Sequence, residues 1–250
     1  MLKATRQDAL LRQLESAGSI SAAEAAEHLG VSEDTVRRDL RELEAAGTLQ
    51  RVHGGAIPRP TPPASYAQRA RAAQPGKDSI AQRAAALACD GQLLFLDGGS
   101  TALNVARSLS PTLHATVVTN APAVAALLID HPGVTVYLAG GELNKDLGVT
   151  LGSDTTRFLG SFRADISFIG VCALDPDAGL TIPSPQELAT KRLMISQSTL
   201  VVALADARKL GHAFPYVVAP ADAVTDLVTD SEAPKTQLAA YRRLGINIHQ

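Results

Sequence analysis

Residues 93–106 read LLFLDGGSTALNVA, and this stretch decides the fold class. The apolar run Leu93–Leu96 predicts a short buried strand, Gly98-Gly99 predicts a sharp turn, and the apolar spacing that follows predicts a helix. The same alternation continues along the chain. It predicts strands at 116–119, 135–138, 166–171, 200–204, 216–219 and 227–228, and helices at 101–109, 122–129, 186–197 and 235–244. Strands that alternate with helices indicate an α/β domain with a largely parallel sheet.

The turn from Asp97 to Thr101 has the features of an anion site. After it, the first N–H groups of the helix point outward without intrahelical partners, and the hydroxyl groups of Ser100 and Thr101 add donors for phosphate oxygens. The alternative is an ordinary strand–helix connection in which Ser and Thr cap the helix. The turn lacks the Gly-Lys-Ser/Thr sequence of a Walker loop and the GxGxxG sequence of a dinucleotide site.

Polar or glycine-rich loops follow four other predicted strands. They include Asn120, Gly140-Gly141, Gly170, and the stretch from Asp206 to Lys209. Ligands of open α/β sheets bind outside the carboxyl ends of the strands. We therefore expect these loops to converge on one pocket, in which Lys209 supplies a positive charge, although each loop taken singly is also consistent with an ordinary turn. The six histidines have no metal-ligand spacing, so no metal ion or cofactor is expected.

The N-terminal segment, residues 1–56, has the pattern of a helix-turn-helix. Ser21 opens a short helix that ends at Gly30, and Ser32 opens the next helix, whose apolar residues repeat at helical spacing. The three-residue turn between the two helices has the length typical of this motif, and its glycine suits a backbone conformation that a side chain would resist.

The second of these helices would present its polar side chains to the major groove of DNA. The candidate DNA-binding residues are Ser32, Glu33, Thr35, Arg37, Arg38 and Arg41, together with Arg51 and His53 from an extended stretch predicted to form a wing. Arginine pairs with guanine through two hydrogen bonds, and Ser and Thr commonly contact phosphate. The acidic Asp39, Glu42 and Glu44 are expected to weaken the positive surface. A solvated helix face, or a three-helix unit that binds protein, is the alternative.

Composition and charge limit the classes of function. The chain has 250 residues and a net charge of −2, which disfavours a histone-like or RNA-coating protein, and the absence of Trp disfavours binding of single strands by stacked aromatic rings. Residues 1–56 hold 7 basic and 9 acidic residues, residues 57–75 hold 3 basic and no acidic ones, and residues 76–250 hold 13 and 16. DNA binding would therefore depend on a few well-placed arginines.

The proline-rich stretch Ile57–Pro63 predicts an extended linker, because four closely spaced prolines cannot continue a helix. The predicted domains are a DNA-binding domain at 1–56, a linker with a connecting helix at 57–75, and an effector domain at 76–250. Cys89 and Cys172 are expected to be buried thiols. The N-terminus lacks the apolar core of a signal peptide, and the longest apolar stretches are too short to span a bilayer, so a cytoplasmic protein is expected.

The segment VSEDTVRRDLRELEAAGTLQRVHGGA, residues 31–56, closely resembles the signature of the DeoR family of bacterial transcriptional regulators. The rest of the chain resembles the sensor domain of that family through DGGST, VVTN, LAGGEL, ADISFIGV, GLT and VTD. The resemblance implies a winged helix-turn-helix, a sensor related in fold to sugar-phosphate isomerases, and a phosphorylated sugar or related metabolite as effector. It also implies control of genes of carbohydrate catabolism, usually as a repressor.

The matching motifs imply a set of effector contacts. They are Asp97, Gly99, Ser100, Thr101, Asn120, Gly140, Gly141 and Gly170, with Glu187, Lys191 and Lys209 at the edge of the site. One stretch departs from the family, because Arg208 stands where the usual Asp-x-Ser-Lys sequence has a small hydroxyl residue. Arg208 would add a phosphate contact or change which sugar fits.

These observations predict a repressor that reads a palindromic operator in double-stranded DNA as a homodimer or homotetramer and responds to a phosphorylated sugar. Two other classes of function remain open at this point. One is an isomerase-like enzyme that uses Asp97, Glu142 or Asp206 as a base. The other is an adaptor whose N-terminal segment binds protein.

Overall fold

The computed structural model describes residues 2–17, 20–52, 54–58, 65–71 and 75–250. The chain divides into two compact units, Met1–Thr61 and Pro62–Gln250. We call them the head unit and the body unit.

The head unit is a helix-turn-helix followed by a β-hairpin. Its elements are α1 (Lys3–Ala17), β1 (Ile20–Ser21), α2 (Ala22–Leu29), α3 (Glu33–Ala45), β2 (Leu49–Val52) and β3 (Gly55–Pro58). The strands form an antiparallel sheet in the order β1-β3-β2. The core residues Leu10, Leu14, Val36, Leu40 and Leu49 are all at most 3% exposed. This is the winged helix-turn-helix that the sequence predicts.

Local capping explains where the two helices of the motif begin and end. The side chain of Ser21 accepts a hydrogen bond from the N–H of Glu24, and that of Ser32 accepts one from the N–H of Thr35. Between the helices, Gly30 has a φ of 64°, a left-handed conformation that costs other L-residues about 1–2 kcal/mol. These contacts fix α2 and α3 at the residues that the capping pattern predicts.

The second strand of the wing differs from the expectation. The proline pattern assigns Ile57 and Pro58 to the linker, but both belong to β3, and Ile57 is 4% exposed. The reason is pairing, because Gln50 of β2 lies opposite Ile57 and Leu49 lies opposite Pro58. A proline is tolerated there because β1 pairs only with Gly55 and Ala56, so Pro58 has a paired strand on one side alone.

The body unit is built on one parallel sheet with helices on its faces. Its strands are β4 (Leu93–Leu96), β5 (Ala115–Thr119), β6 (Val134–Leu138), β7 (Glu142–Asn144), β8 (Val149–Leu151), β9 (Ala164–Gly170), β10 (Ala173–Asp175), β11 (Gly179–Ile182), β12 (Ser198–Leu204), β13 (Tyr216–Ala219), β14 (Asp226–Val228) and β15 (Asn247–His249). Its α-helices are α4 (Tyr66–Arg71), α5 (Pro75–Ala85), α6 (Ser100–Ser108), α7 (Pro122–Leu127), α8 (Ser153–Leu159), α9 (Leu188–Ser196) and α10 (Lys235–Arg243). The expected α/β class is confirmed.

The order of strands determines where a ligand can bind. Seven parallel strands run β15-β14-β12-β9-β4-β5-β6, while β7-β8 and β10-β11-β13 form two small antiparallel sheets. The chain proceeds from β4 to β5 and β6 at one edge and then returns to β9 on the other side of β4. The carboxyl ends of β4 and β9 therefore flank the switch point of the sheet, which is where open α/β sheets bind ligands.

Alternate residues of the central strands face two separate apolar cores. Phe95 and Ile169 pack in one core, and Leu94, Leu96 and Phe168 pack in the other. Burial on both faces explains why these strands read as continuous apolar runs.

Among the described residues, no helix is both long enough and apolar enough to cross a membrane. The expectation of two buried thiols is wrong for Cys89, which is exposed in the connection between α5 and β4, whereas Cys172 is half-buried.

Candidate functional site

Asp97 is the centre of a buried polar cluster at the switch point. It follows β4 and is 1% exposed. Its Oδ2 accepts a hydrogen bond from the N–H of Gly170 at 2.9 Å and forms an ion pair with Lys191. Lys191 also donates to the carbonyl of Gly170 at 2.9 Å. A Cβ on Gly170 would lie 2.9 Å from the carbonyl oxygen of Gly98, so only glycine allows the ends of β4 and β9 to approach this closely.

The ammonium group of Lys191 lies between two carboxylates of this cluster. Burial by itself lowers the pKa of Lys191, but the carboxylates of Asp97 and Glu187 outweigh it and raise the pKa overall. Glu187 Oε1 lies 3.8 Å from Lys191 Nζ, and burial raises the pKa of Glu187 while Lys191 opposes that rise. Lys191 therefore stays protonated at the base of the site, where it holds Asp97 in place.

The turn that follows Asp97 leaves the start of α6 open to an anion. Gly99, with a φ of 108°, precedes the helix and provides no side-chain cap. Ser100 and Thr101 are buried in the first turn of α6. The N–H groups of a first helical turn lack intrahelical acceptors, so they are available to a phosphate together with these hydroxyl groups.

Lys77 also reaches this turn, although it is absent from the residues predicted from the sequence. Its Nζ donates to Ser100 Oγ at 2.9 Å and to the carbonyl of Arg69 at 3.2 Å. Lys77 is 7% exposed, whereas most lysines lie at the protein surface. A signal was present, because Lys77 lies three, four and seven residues before Ile80, Ala81 and Ala84, which form the buried face of α5. A lysine on such a face is a candidate for a specific polar contact.

Positive charge is concentrated beside the turn. Burial lowers the pKa of Lys77, and the neighbouring charge of Lys209 lowers it further. Burial also lowers the pKa of Lys209, although Asp206 opposes that effect. Burial raises the pKa of the Cys172 thiol, and the charges of Lys191 and Lys209 oppose that rise. Cys172 is therefore close enough to these lysines to sense their charge. An anion bound here would relieve the repulsion between the two lysines.

Arg208, where the sequence departs from the family, contacts Asp206. Its Nε lies 3.3 Å from Oδ1 and its Nη2 lies 3.2 Å from Oδ2 of that carboxylate. The side-chain hydrogen bond to Asp206 raises the pKa of Arg208. Arg208 thus neutralises Asp206 beside Lys209.

Asn120 and the glycines after β6 are joined through β8. Asn120 Nδ2 donates to the carbonyl of Thr150 at 3.0 Å, and Thr150 Oγ1 donates to the carbonyl of Ala139 at 2.7 Å. Within the described part of the chain, Asn120 Oδ1 is buried without a hydrogen-bond partner. A Cβ on Gly141 would collide with Thr155 Oγ1, so a packing requirement explains that glycine. Asn120 is thus the member of this group that has an acceptor to offer a ligand.

The predicted DNA-binding arginines lie together on the outer face of α3. Arg37, Arg38 and Arg41 are exposed, and Arg51 is exposed on β2. Arg37 Nη2 lies 2.7 Å from Glu33 Oε1, and Arg51 Nη1 lies 3.7 Å from Glu44 Oε2. Ser32 Oγ and Thr35 Oγ1 are 2.8 Å apart at the start of the helix. His53, also predicted to bind DNA, lies outside the described residues.

Two of the acids expected to weaken this surface are held by α1. Asp39 is 2% exposed and forms an ion pair with Arg6, whose Nη2 donates to its Oδ1 at 3.1 Å. Glu42 accepts a hydrogen bond from Gln7 at 2.8 Å and pairs with Lys3, and the hydrogen bond from Lys3 lowers its pKa. The expectation for Asp39 is wrong, because its position on the helix faces the core beside Leu40 and Leu43.

Comparisons with known proteins agree with both units. A family model described as "DeoR-like helix-turn-helix domain" matches residues 6–59, and one described as "DeoR C terminal sensor domain" matches residues 72–231. The chain is 34% identical to the HTH-type transcriptional regulator GlpR of Haloferax volcanii, over 99% of this chain and 98% of that protein. It is 31% identical to the glycerol-3-phosphate regulon repressor of Escherichia coli, over 94% and 93%.

A likeness to a solved structure is much weaker. Ribose 5-phosphate isomerase A from Methanocaldococcus jannaschii superposes with a TM-score of 0.39 and 19% identity, covering 54% of this chain and 53% of the other.

Proposed function

The chain belongs to the DeoR family of transcriptional regulators, and from that premise we propose that it is a repressor that leaves its operator when the body unit binds a phosphorylated sugar or related metabolite. It acts in the cytoplasm on genes of carbohydrate catabolism. The observation that supports this most directly is the set of anion donors at the switch point. The uncapped start of α6, the hydroxyl groups of Ser100 and Thr101, and the nearby Lys77 and Lys209 suit a phosphate group.

The remaining effector contacts follow from the same geometry. Asn120 Oδ1 is a buried acceptor that a sugar hydroxyl would satisfy, since an unpaired buried acceptor costs about 1–3 kcal/mol. Gly140 and Gly141 shape the loop beside it. Asp97, Gly170, Glu187 and Lys191 position the loop ends, and Lys209 supplies charge at the edge. These assignments are part of the proposal.

The DNA-binding part of the proposal rests on the outer face of α3. Arg37, Arg38 and Arg41 would enter the major groove, with Ser32, Glu33 and Thr35 at the start of the helix and Arg51 on the wing beside the backbone. We infer that two heads bind a palindromic operator together, so the working form is a homodimer or homotetramer.

The arrangement of carboxylates argues against an enzyme. A general base must be free to take a proton from the substrate. Asp97 is already bound by Lys191 and the N–H of Gly170, and Asp206 is bound by Arg208. Glu142 is exposed to water on β7, whereas active sites that abstract protons close to exclude water. We therefore propose a binding protein without catalytic activity.

A gel-shift titration tests the proposal. The probe is the DNA upstream of the protein's own operon, and the titrants are glycerol 3-phosphate, glucose 6-phosphate and ribose 5-phosphate. Glycerol, glucose and ribose are the matched controls. We expect a specific shift that at least one phosphorylated compound reverses and that its unphosphorylated counterpart leaves unchanged. A shift that no phosphorylated compound changes would refute the effector assignment, and the absence of any specific shift would refute the function.

A further inference from the structure

We propose that α4 communicates effector binding to the linker, because contacts at both ends of α4 connect it to the effector loops. This inference rests on the proposed function and adds a route of coupling to it. α4 is the first described element of the body unit, and the chain that joins the two units precedes it. α4 therefore stands at the end of the body unit from which the chain leads to the head unit.

α4 depends on contacts with the rest of the body unit. It has six residues, and isolated helices shorter than about 12 residues are marginal in water. Ser65 and Gln68 form a capping box at its start, since the N–H of Ser65 donates to Gln68 Oε1 at 3.0 Å and the N–H of Gln68 donates to Ser65 Oγ at 3.4 Å. That local cap does not hold the helix against the sheet. α4 also packs against α6, and a hydrogen bond at each of its ends ties it to the effector loops.

The contact at the start of α4 is with the β7–β8 hairpin. The N–H of Tyr66 donates to the carbonyl of Asp146 at 2.7 Å. The ring of Tyr66 lies against Gly148, where a Cβ would be 2.5 Å from Tyr66 Cγ. The tip of the hairpin therefore supports the first turn of α4.

The same hairpin contacts two effector loops. The N–H of Thr150 donates to the carbonyl of Asn120 at 2.8 Å, and Asn120 donates back to Thr150. Val149 packs against Gly98, where a Cβ would collide with Val149 Cγ1. A ligand that orders Asn120 and the turn at Gly98 thus also orders the support of Tyr66.

The contact at the end of α4 is Lys77. One N–H of its ammonium group binds the carbonyl of Arg69 in the last turn of α4, and a second binds Ser100 Oγ in the candidate phosphate turn. An ammonium group has three donors, so the third can bind a phosphate oxygen while the other two bonds persist. A cation at the carboxyl end of a helix is also favourable for the helix dipole. Phosphate and α4 are therefore held by the same side chain.

These two routes predict positive coupling. The effector stabilises docked α4, and docked α4 raises affinity for the effector by the same factor, because linkage is reciprocal. Tyr66 makes no contact with Lys77 or Ser100 in the contacts described above, yet its removal must weaken effector binding. A residue that served only local packing would not have this effect.

The test uses the full-length protein with Tyr66→Ala, Lys77→Met and the control Tyr216→Ala, which removes a tyrosine exposed on β13. Glycerol 3-phosphate, glucose 6-phosphate and ribose 5-phosphate are the probes. Their effect on operator affinity is measured by gel shift, and amide hydrogen exchange is measured at residues 66–71. In the wild type we expect the probe that releases DNA to slow exchange in α4. We expect Tyr66→Ala to raise the concentration of that probe needed for half-release of DNA by roughly 5- to 150-fold. Tyr216→Ala should leave that concentration unchanged.

The outcomes separate this inference from the proposed function. If a probe releases DNA from the wild type but α4 exchange is unchanged, or if Tyr66→Ala responds as the wild type does, the coupling route is wrong and the function stands. If no probe acts on the wild type, the function fails and the inference fails with it. Thermal unfolding of each variant identifies a folding defect. If Lys77→Met is misfolded, Tyr66→Ala and the exchange data still decide.

Discussion

Replacing Lys191 by Met tests whether the buried pair with Asp97 organises the site. Met keeps the length of the side chain and removes its charge. Lys191 is 2% exposed and Asp97 is 1% exposed, so the substitution leaves a buried carboxylate that keeps its hydrogen bond from the N–H of Gly170 but loses its ion pair. Breaking a buried ion pair from one side costs about 3–5 kcal/mol. For a unit of this size each kcal/mol lowers Tm by roughly 2–4 °C, so we expect a decrease of about 6–20 °C.

The assay is differential scanning calorimetry of a double-mutant cycle. The variants are Lys191→Met, Asp97→Asn and the double substitution, and Lys235→Met on the exposed start of α10 is the control. The double variant should regain stability, because it removes both charges while the oxygen of the introduced amide still accepts from the N–H of Gly170. We expect an interaction energy of about 2–3 kcal/mol, and a change within about 0.5 kcal/mol for the control.

Two results would refute this reasoning. The first is a decrease in Tm for Lys191→Met no larger than that of the control. The second is a double variant whose loss equals the sum of the two single losses. If Asp97→Asn also kept full stability while abolishing the effector response, Asp97 would be a direct effector contact and not a positioning residue.

Three further predictions concern the DNA and effector surfaces. Arg38→Ala should weaken operator binding by roughly 1–3 kcal/mol if Arg38 reads a base, with Arg12→Ala on α1 as the control; an equal loss on random DNA would assign Arg38 to phosphate. Because burial lowers the pKa of Lys77 and Lys209, both lose charge at a lower pH than ordinary lysines, so effector affinity should fall as pH rises before the usual lysine range. An affinity that stayed constant up to about pH 10 would contradict this. In a Cys89→Ser background, the effector should slow alkylation of Cys172 severalfold, and an unchanged rate would place Cys172 outside the pocket.

The parallel sheet is predictable because its central strands are buried on both faces. Leu93–Leu96 is a strand at the predicted residues, and the predicted run 200–204 lies within β12, since runs of large apolar residues have few other uses in a chain of this composition. The short strands β7, β8, β10 and β11 are absent from the prediction. They have three or four residues each, too few to establish a period.

The order of the strands could not be predicted, and the centre of the site depends on it. Nothing local to Asp97 or Gly170 indicates that β4 and β9 are neighbours, because 73 residues separate the two positions. The resemblance to the DeoR family implies that Lys191 lies at the edge of the site, whereas the structure places it at the centre of the buried cluster. A prediction based on charge misses Lys77, because most lysines lie at the surface. Its spacing from Ile80 and Ala84, however, puts it on a buried helix face.

The burial of Asp39 bears on how related regulators could come to bind different DNA sequences. It stands between Arg38 and Leu40 in the helix proposed to read DNA, but its carboxylate is bound to Arg6 in the core of the head unit. The buried residues of α3 thus fix the position of the helix in the head unit, while Arg37, Arg38 and Arg41 lie on its exposed face. If these side chains read the operator as proposed, exchanging Arg37, Arg38 and Arg41 changes the DNA sequence that is bound without disturbing the architecture of the head unit. Regulators with different targets can therefore arise from one scaffold by a few surface substitutions.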